Sequence, residues 1–175
     1  MNKNIILIGF MGSGKSSVGR FLSGKNDVKH IDTDWLIEKQ QGRKISQIFS
    51  EDGEEVFREM ETDCIRELLS RNRKYVISVG GGLPMREVNR EILRELGFVV
   101  YLKAEVDTLE KRLTGDNKRP LLQDGNLRDR IVSLMEQRES TYEALADIIV
   151  CTDDKDFEQI ATEIMDGMKY ENTGN

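Results

Sequence analysis

The chain has 175 residues, of which 38% are apolar and 33% are charged, and its formal net charge is −6. This length predicts one domain, spanning residues 1–175. The acidic balance argues against a nucleic-acid-binding protein, which normally carries a basic face. No apolar run approaches the roughly 20 residues of a membrane span, and we expect no leader before the first strand. The prediction is a cytoplasmic protein that binds neither nucleic acid nor membrane.

The sequence offers little material for a metal site built from cysteine and histidine. Cys64 and Cys151 lie far apart, and His30 is the only histidine. No C-x-x-C pair is present, so two reduced thiols are the expected state.

The first two predicted elements enclose a glycine-rich motif. Asn4–Ile8 is an almost wholly apolar run, which is typical of a parallel strand covered on both faces. A helix is predicted from Gly14 or Lys15 to about Ser23. The motif GFMGSGKSS at residues 9–17 fits the phosphate-binding pattern G-x-x-x-x-G-K-[ST].

This motif predicts a site for a nucleoside triphosphate. Its glycines let backbone N–H groups converge on phosphate oxygens, and the helix that follows adds a positive N-terminal end. We expect Lys15 to reach the β- and γ-phosphates and Ser16 to bind Mg²⁺. A chance glycine-rich turn is the alternative, but the full pattern follows a buried strand and opens a helix.

Two carboxylates follow the second predicted strand, Val28–Asp32. Asp32 and Asp34 point the same way if the strand geometry continues. Asp32, which is nearer the sheet, is the candidate for supporting Mg²⁺, and Asp34 could accept a proton from a hydroxyl group during phosphorylation. Alternatively, Asp34 is the N-cap of the next helix, which is predicted over residues 34–41.

A helical region comes next, with helices predicted over residues 45–50 and 53–72. Arg58 and Glu61 lie three residues apart on the longer helix and therefore share a face. Their spacing alone leaves open whether they belong to a site or form an ordinary surface ion pair.

The third predicted strand, Tyr75–Val79, is followed by Gly80, Gly81 and Gly82. Three consecutive glycines are costly in conformational entropy, and a close approach of the backbone to another group explains them. A loose turn is the alternative.

The second half of the chain continues the alternation of helices and strands. Helices are predicted over residues 88–96, 106–113, 129–146 and 157–168, and strands over residues 98–102 and 148–150. Residues 114–126 form a polar, turn-rich loop that is the best candidate for a mobile segment. Arg119 in this loop is either solvated or able to close over bound phosphates.

Five short strands separated by helices predict an α/β fold with an open, mostly parallel sheet. Sites in such sheets lie at the carboxyl ends of the strands. The glycine-rich motif, the two aspartates and the glycine run all follow strands, so we expect them to open onto one rim of the molecule.

Taken in order, these motifs make the chain resemble the shikimate kinase family. They read GFMGSGKSS, DTDWLIE, GRKISQIFSEDGEEVFREMET, SVGGG and NKRPLL, followed by a helix with Arg138 and Tyr142. Together they span residues 5 to about 153. The third block is the specific one, because other kinases with the phosphate-binding loop lack it.

The resemblance implies ATP- and Mg²⁺-dependent phosphorylation of the 3-hydroxyl of shikimate, in the pathway to chorismate and the aromatic amino acids. It implies a three-layer α/β sandwich whose five-stranded parallel sheet has the strand order 2-3-1-4-5. It also implies a substrate-binding helical region at about residues 33–61, a mobile lid at about residues 112–125, and a monomer.

The resemblance also implies roles for individual residues. Lys15, Asp34 and Arg119 would be catalytic. The ATP-binding set would be Gly12, Ser13, Gly14, Lys15, Ser16, Ser17, Arg112 and Arg119, with Arg112 against adenine and a base-binding loop near Thr152 and Asp153. The substrate would be held by Asp34, Arg58, Gly80, Gly81, Gly82 and Arg138, and the metal by Ser16 and Asp32.

Two positions depart from the usual family pattern. Ser140 stands where proline is common, and Cys151 stands where an acidic residue is common. The rival interpretations are another small-metabolite kinase such as one for gluconate, a nucleoside monophosphate kinase, and a nucleotide-dependent switch that has no small substrate.

Overall fold

The computed structural model describes residues 3–71, 73–115 and 126–173, and within these ranges five strands alternate with eight helices. The strands are β1 (Asn4–Ile8), β2 (Lys29–Asp32), β3 (Tyr75–Ser78), β4 (Gly97–Lys103) and β5 (Ile148–Cys151). The helices are α1 (Lys15–Lys25), α2 (Thr33–Gln41), α3 (Ile45–Glu51), α4 (Glu54–Leu69), α5 (Glu87–Leu96), α6 (Val106–Leu113), α7 (Leu127–Leu145) and α8 (Phe157–Thr173). A short 3₁₀ turn covers Leu83–Met85.

The strands form one parallel sheet in the order β2-β3-β1-β4-β5. In the central strand β1, Ile6 is paired with Ile77 of β3 on one side and with Val99 of β4 on the other. The predicted α/β class and strand order are therefore confirmed.

Side chains of β1 alternate between two cores, which makes the molecule three-layered. Ile6 and Ile8 face a core formed with α4, α5 and α7, whereas Ile5 and Leu7 face a core formed with α1 and α8. All four side chains are fully buried, as expected of a parallel strand that is covered on both faces.

A third apolar cluster lies under the glycine-rich motif. Phe10 and Met11 of the motif pack with Leu109 and Leu113 of α6 and with Ile131 of α7. These two side chains anchor the motif from below, and residues 14–17 are only partly buried after the carboxyl end of β1.

Most predicted bounds agree with the structure to within about two residues. Helix α4 ends earlier than predicted, and α8 continues to Thr173. Arg112, where the predicted lid begins, lies in the last turn of α6. Residues 116–125 of the predicted lid, which include Arg119, lie outside the described residues. No helix among the described residues is long and apolar enough to cross a membrane.

Candidate active site

The motifs that follow β1, β2 and β3 line one cleft of about 1110 Å³ at the carboxyl ends of the strands. The predicted site residues that line this cleft are Gly12, Ser13, Gly14, Lys15, Ser16, Ser17, Asp32, Asp34, Arg58, Gly80, Gly81, Gly82, Arg112 and Arg138. Parallel strands explain this convergence, because all their carboxyl ends meet at the same edge of the sheet.

The glycine-rich motif forms one end of the cleft. Gly12 and Gly14 have φ angles of 81° and 96°, a left-handed conformation that glycine adopts without steric cost. Gly14 is the N-cap residue of α1 and provides no side-chain cap, so the first N–H groups of α1 face the cleft without a side-chain acceptor. Lys15 folds back over the loop, where its Nζ donates to the carbonyl oxygens of Gly9 and Phe10 at 2.9 and 2.8 Å.

Ser16 and Asp32 meet beside this loop. The Ser16 hydroxyl donates to Asp32 Oδ2 at 2.6 Å. Asp32 Oδ1 accepts from the backbone N–H groups of Asp34 and Trp35 at 3.2 and 3.3 Å, so Asp32 is the N-cap of α2. The alternative that Asp34 caps this helix is therefore wrong, because α2 begins at Thr33 and already contains Asp34 in its first turn.

The Ser16–Asp32 pair has the chemistry of a magnesium site. Mg²⁺ prefers oxygen ligands and commonly uses one or two carboxylates together with phosphate oxygens of the substrate. Among the described residues, no group of three or more His, Cys, Asp or Glu side chains could hold a metal ion by itself. The pair therefore fits a metal ion that arrives with the phosphates of a nucleotide.

Arg58 and Glu61 form the opposite wall. Arg58 Nη1 donates to Glu61 Oε2 at 2.7 Å, and the same guanidinium also contacts Glu54 at 2.7 Å. The side chains of Arg58 and Glu61 are only 12% and 1% exposed, so this pair is not the surface ion pair that spacing left open. Burial raises the pKa of Glu61 to about 7, while the Arg58 guanidinium opposes the shift and Asp34 adds to it. The aromatic rings of Phe49 and Phe57 flank Arg58.

The glycine run passes close to these charged groups. A Cβ atom on Gly80 would lie 2.5 Å from Glu61 Oε1 and 2.7 Å from Asp34 Oδ1, and one on Gly82 would lie 2.5 Å from Arg58 Nη1. Only a residue without a side chain allows the backbone this approach. The run is therefore not a loose turn.

Arg138 completes this end of the cleft. It is 7% exposed, and among the described residues its Nη1 atom has no hydrogen-bond partner. One turn later on α7, the Tyr142 hydroxyl donates to the carbonyl oxygen of Gly81. A buried guanidinium nitrogen that faces a cleft without a partner is a place for an anionic ligand.

Arg112 lies at the far side of the glycine-rich motif. Its Nη1 donates to the Gly12 carbonyl oxygen at 3.2 Å and to Thr152 Oγ1 at 3.4 Å. Thr152 lines the cleft, whereas the Asp153 carboxylate accepts from the backbone N–H of Glu105. The structure thus brings Arg112 and Thr152 together beside the glycine-rich motif. Asp153 instead binds Glu105, the residue just before α6.

The sequence analysis did not predict several of the residues that line the cleft. Lys155 and Phe157 border the cleft just after β5, and Lys44 borders it before α3. Glu38 accepts from the Ile45 backbone N–H at 3.1 Å and so holds the start of α3. Because sites in parallel sheets lie at the carboxyl ends of strands, the sequence could have suggested Lys155 and Phe157, which follow β5. No local pattern marks Glu38, because its contact with Ile45 depends on how α2 and α3 pack.

The chain is similar to known proteins over nearly its whole length. The family model described as shikimate kinase matches residues 11–169. The shikimate kinase of Dictyoglomus turgidum is 44% identical over 172 residues, which cover 97% of this chain and 99% of that protein. The chain belongs to the shikimate kinase family. The shikimate kinase of Moorella thermoacetica is 42% identical over 97% of this chain and 96% of its own length.

Solved structures agree with this assignment. Shikimate kinase from Acinetobacter baumannii, determined in complex with shikimate, superimposes with a TM-score of 0.91 at 35% identity and covers 99% of this chain and 96% of that one. A gluconokinase from Sinorhizobium meliloti reaches a TM-score of 0.62 at 19% identity, over 98% of this chain and 95% of that one, which shows a common fold alone.

Proposed function

We propose that the chain transfers the γ-phosphoryl group of ATP to the 3-hydroxyl of shikimate, giving shikimate 3-phosphate and ADP. The observation that carries this proposal is the pairing, in one cleft, of a phosphate-binding loop with a buried arginine whose Nη1 has no partner among the described residues. Membership in the shikimate kinase family supports the choice of substrate.

The loop end of the cleft would bind the triphosphate. Lys15 would exchange its contacts with the Gly9 and Phe10 carbonyl oxygens for phosphate oxygens, and the N–H groups at the start of α1 would face the same phosphates. Ser16 and Asp32 would hold Mg²⁺. When bound, that ion neutralises charge on the β- and γ-phosphates.

The other end would bind the small acid. Arg58 and Arg138 would hold the carboxylate, since guanidinium groups suit the two oxygens of this anion. Asp34 would contact the reacting hydroxyl. As the hydroxyl oxygen bonds to the γ-phosphorus and the bond to the β–γ bridging oxygen breaks, the hydroxyl proton would pass to Asp34.

The remaining roles concern the nucleotide and the closing of the cleft. We propose that Arg112 lies near the base, because it already joins the glycine-rich motif to Thr152. Arg119, outside the described residues, remains the proposed lid residue that stabilises charge on the transferring group. A mobile lid, a single domain over residues 1–175 and a monomeric state without nucleic-acid partners are likewise proposals.

A coupled ADP-release assay with purified protein tests the function. Shikimate, gluconate and nucleoside monophosphates are offered in turn with ATP and Mg²⁺. The proposal predicts rapid ADP release with shikimate and only the background rate with the others. Equal rates in the presence and absence of shikimate would contradict it and would favour a nucleotide-dependent switch.

A further inference from the structure

We propose that Tyr142 is a positioning residue for the acid-binding end of the cleft, where its hydroxyl fixes the Arg138 guanidinium and the Gly81 peptide in one arrangement. This inference rests on the proposed function, because it assumes that Arg138 binds the carboxylate of the substrate. Tyr142 itself is fully buried and is not among the residues that line the cleft.

The hydroxyl joins two separate parts of the chain. Tyr142 lies on α7, and its O–H donates to the carbonyl oxygen of Gly81, 61 residues away in the sequence. Arg138 lies one helical turn earlier on α7, and a Cβ atom on Gly81 would lie 3.5 Å from the Tyr142 hydroxyl and 3.7 Å from Arg138 Nη1, so the two groups are neighbours. A hydroxyl has one proton and two lone pairs, and because the proton goes to Gly81, its lone pairs face the neighbouring guanidinium, which can only donate.

This arrangement determines which part of Arg138 is left for a ligand. The Tyr142 oxygen is a polar neighbour of the guanidinium on the protein side, and Nη1 is buried at the cleft without a hydrogen-bond partner among the described residues. Without the hydroxyl, the guanidinium would lose this polar neighbour. It could then turn away from the orientation in which Nη1 faces the cleft.

The Gly81 contact acts on the neighbouring backbone. In a trans peptide unit the carbonyl oxygen and the following N–H point in opposite directions. Binding of the Gly81 carbonyl oxygen to Tyr142 therefore directs the N–H of Gly82 to the opposite side of the peptide plane. One hydroxyl thus orients a guanidinium and a backbone donor together.

The ring of Tyr142 is held independently of its hydroxyl. It packs against the ring of Tyr101 on β4 with centroids 5.2 Å apart, in the same core that Ile6 and Ile8 face. Burial raises the pKa of Tyr142 to about 12, with Arg138 opposing the shift, so the hydroxyl keeps its proton across the neutral range. Replacement by phenylalanine should remove the hydrogen bond to Gly81 and the polar neighbour of Arg138 while the ring keeps its place.

Tyr101 provides a matched control. Its hydroxyl is also buried, and it has no hydrogen-bond partner among the described residues. Tyr101→Phe and Tyr142→Phe therefore remove the same atom from two rings that contact each other. Only the second substitution removes a contact with Arg138 and Gly81.

Steady-state kinetics on the full chain test the proposal. Tyr142→Phe is expected to raise the KM for shikimate roughly tenfold, because the polar group that orients a charged binding residue is lost, and to leave the KM for ATP within about twofold. Tyr101→Phe is expected to change neither constant. In an Arg138→Lys background, Tyr142→Phe should add little, since its effect passes through the guanidinium.

The outcomes separate this inference from the proposed function. A wild-type chain without shikimate-dependent turnover would remove the function itself. An active wild type whose Tyr142→Phe variant keeps a normal KM for shikimate would overturn the positioning role alone. Equal increases in both KM values, or loss of ATP–Mg²⁺ binding, would also overturn it, because the hydroxyl would then support the fold in general.

Discussion

Asp32 and Asp34 lie two residues apart, yet their carboxylates meet different groups. Asp32 binds the Ser16 hydroxyl and the N–H groups at the start of α2, whereas Asp34 lies beside Gly80. The difference arises because α2 begins at Thr33, and only the residue just before a helix can cap its free N–H groups. Asp32 thus combines a structural contact with a proposed metal contact.

Substitutions at Asp32 can separate these two contacts. Asp32→Asn retains an oxygen that can cap α2, so its free energy of unfolding should stay close to that of the wild type. Asp32→Ala removes the cap and should cost about 1 kcal/mol. Both variants should lose Mg²⁺-dependent turnover. Urea unfolding and the ADP-release assay provide the two readouts, and full turnover in Asp32→Asn would contradict the metal role.

The raised pKa of Glu61 predicts that this residue makes a pH-dependent contribution to the free energy of unfolding. Its pKa is raised from an ordinary value of 4.5 to about 7, mainly by burial. Between about pH 4.5 and pH 7, the folded chain therefore holds a proton that the unfolded chain has released, and rising pH favours unfolding. Relative to Glu61→Gln, the wild type should lose on the order of 1–3 kcal/mol of unfolding free energy across this window.

Urea unfolding at both ends of that window measures the difference. Glu59→Gln, which changes an exposed carboxylate on the same helix, is the matched control and should follow the wild type. The same pH slope in Glu61→Gln and wild type would show that the buried carboxyl group does not titrate in this range.

Helix α1 packs so closely on the sheet that one of its glycines has no room for a side chain. A Cβ atom on Gly19 would lie 2.5 Å from His30 Nε2 on β2 and 2.9 Å from Ser78 Oγ on β3. Gly24 lies near the end of the same helix and would meet nothing within 4 Å. The two glycines therefore have opposite expected responses to substitution.

Gly19→Ala should lower the free energy of unfolding by roughly 1–3 kcal/mol, because the new methyl group must displace a ring held between two strands. Gly24→Ala should raise it by up to about 1 kcal/mol, since alanine is the better helix former. Thermal unfolding of both variants measures the contrast. A Gly19→Ala variant as stable as the wild type would contradict the close packing.

Local sequence patterns were sufficient for the elements and for the position of the glycine-rich motif between β1 and α1. The apolar run of β1 and the order of glycines before Lys15 are signals contained within a few residues. They do not determine contacts that join distant segments. The burial of Glu61 beside Gly80, and the contact of Tyr142 with Gly81, depend on how α4 and α7 pack against the end of β3.

At the scale of the whole molecule, the parallel sheet brings the two proposed binding ends of the cleft together. The loop after β1 and the glycine run after β3 follow neighbouring strands, so the distance between them is set by the strand order. Helices α4 and α7 then supply Arg58 and Arg138 to the same cleft. The sequence indicated a common rim, and the packing of these helices determines which side chains face it.

The central claim is that one cleft holds separate sites for a triphosphate and for a small acid. Titration calorimetry with ATP–Mg²⁺ and with shikimate tests it on Arg58→Ala and on the control Arg66→Ala, whose exposed side chain lies on the same helix. Arg58→Ala should bind shikimate roughly 30-fold more weakly and ATP–Mg²⁺ as the wild type does, while Arg66→Ala should bind both normally. Unchanged shikimate affinity in Arg58→Ala would contradict the claim.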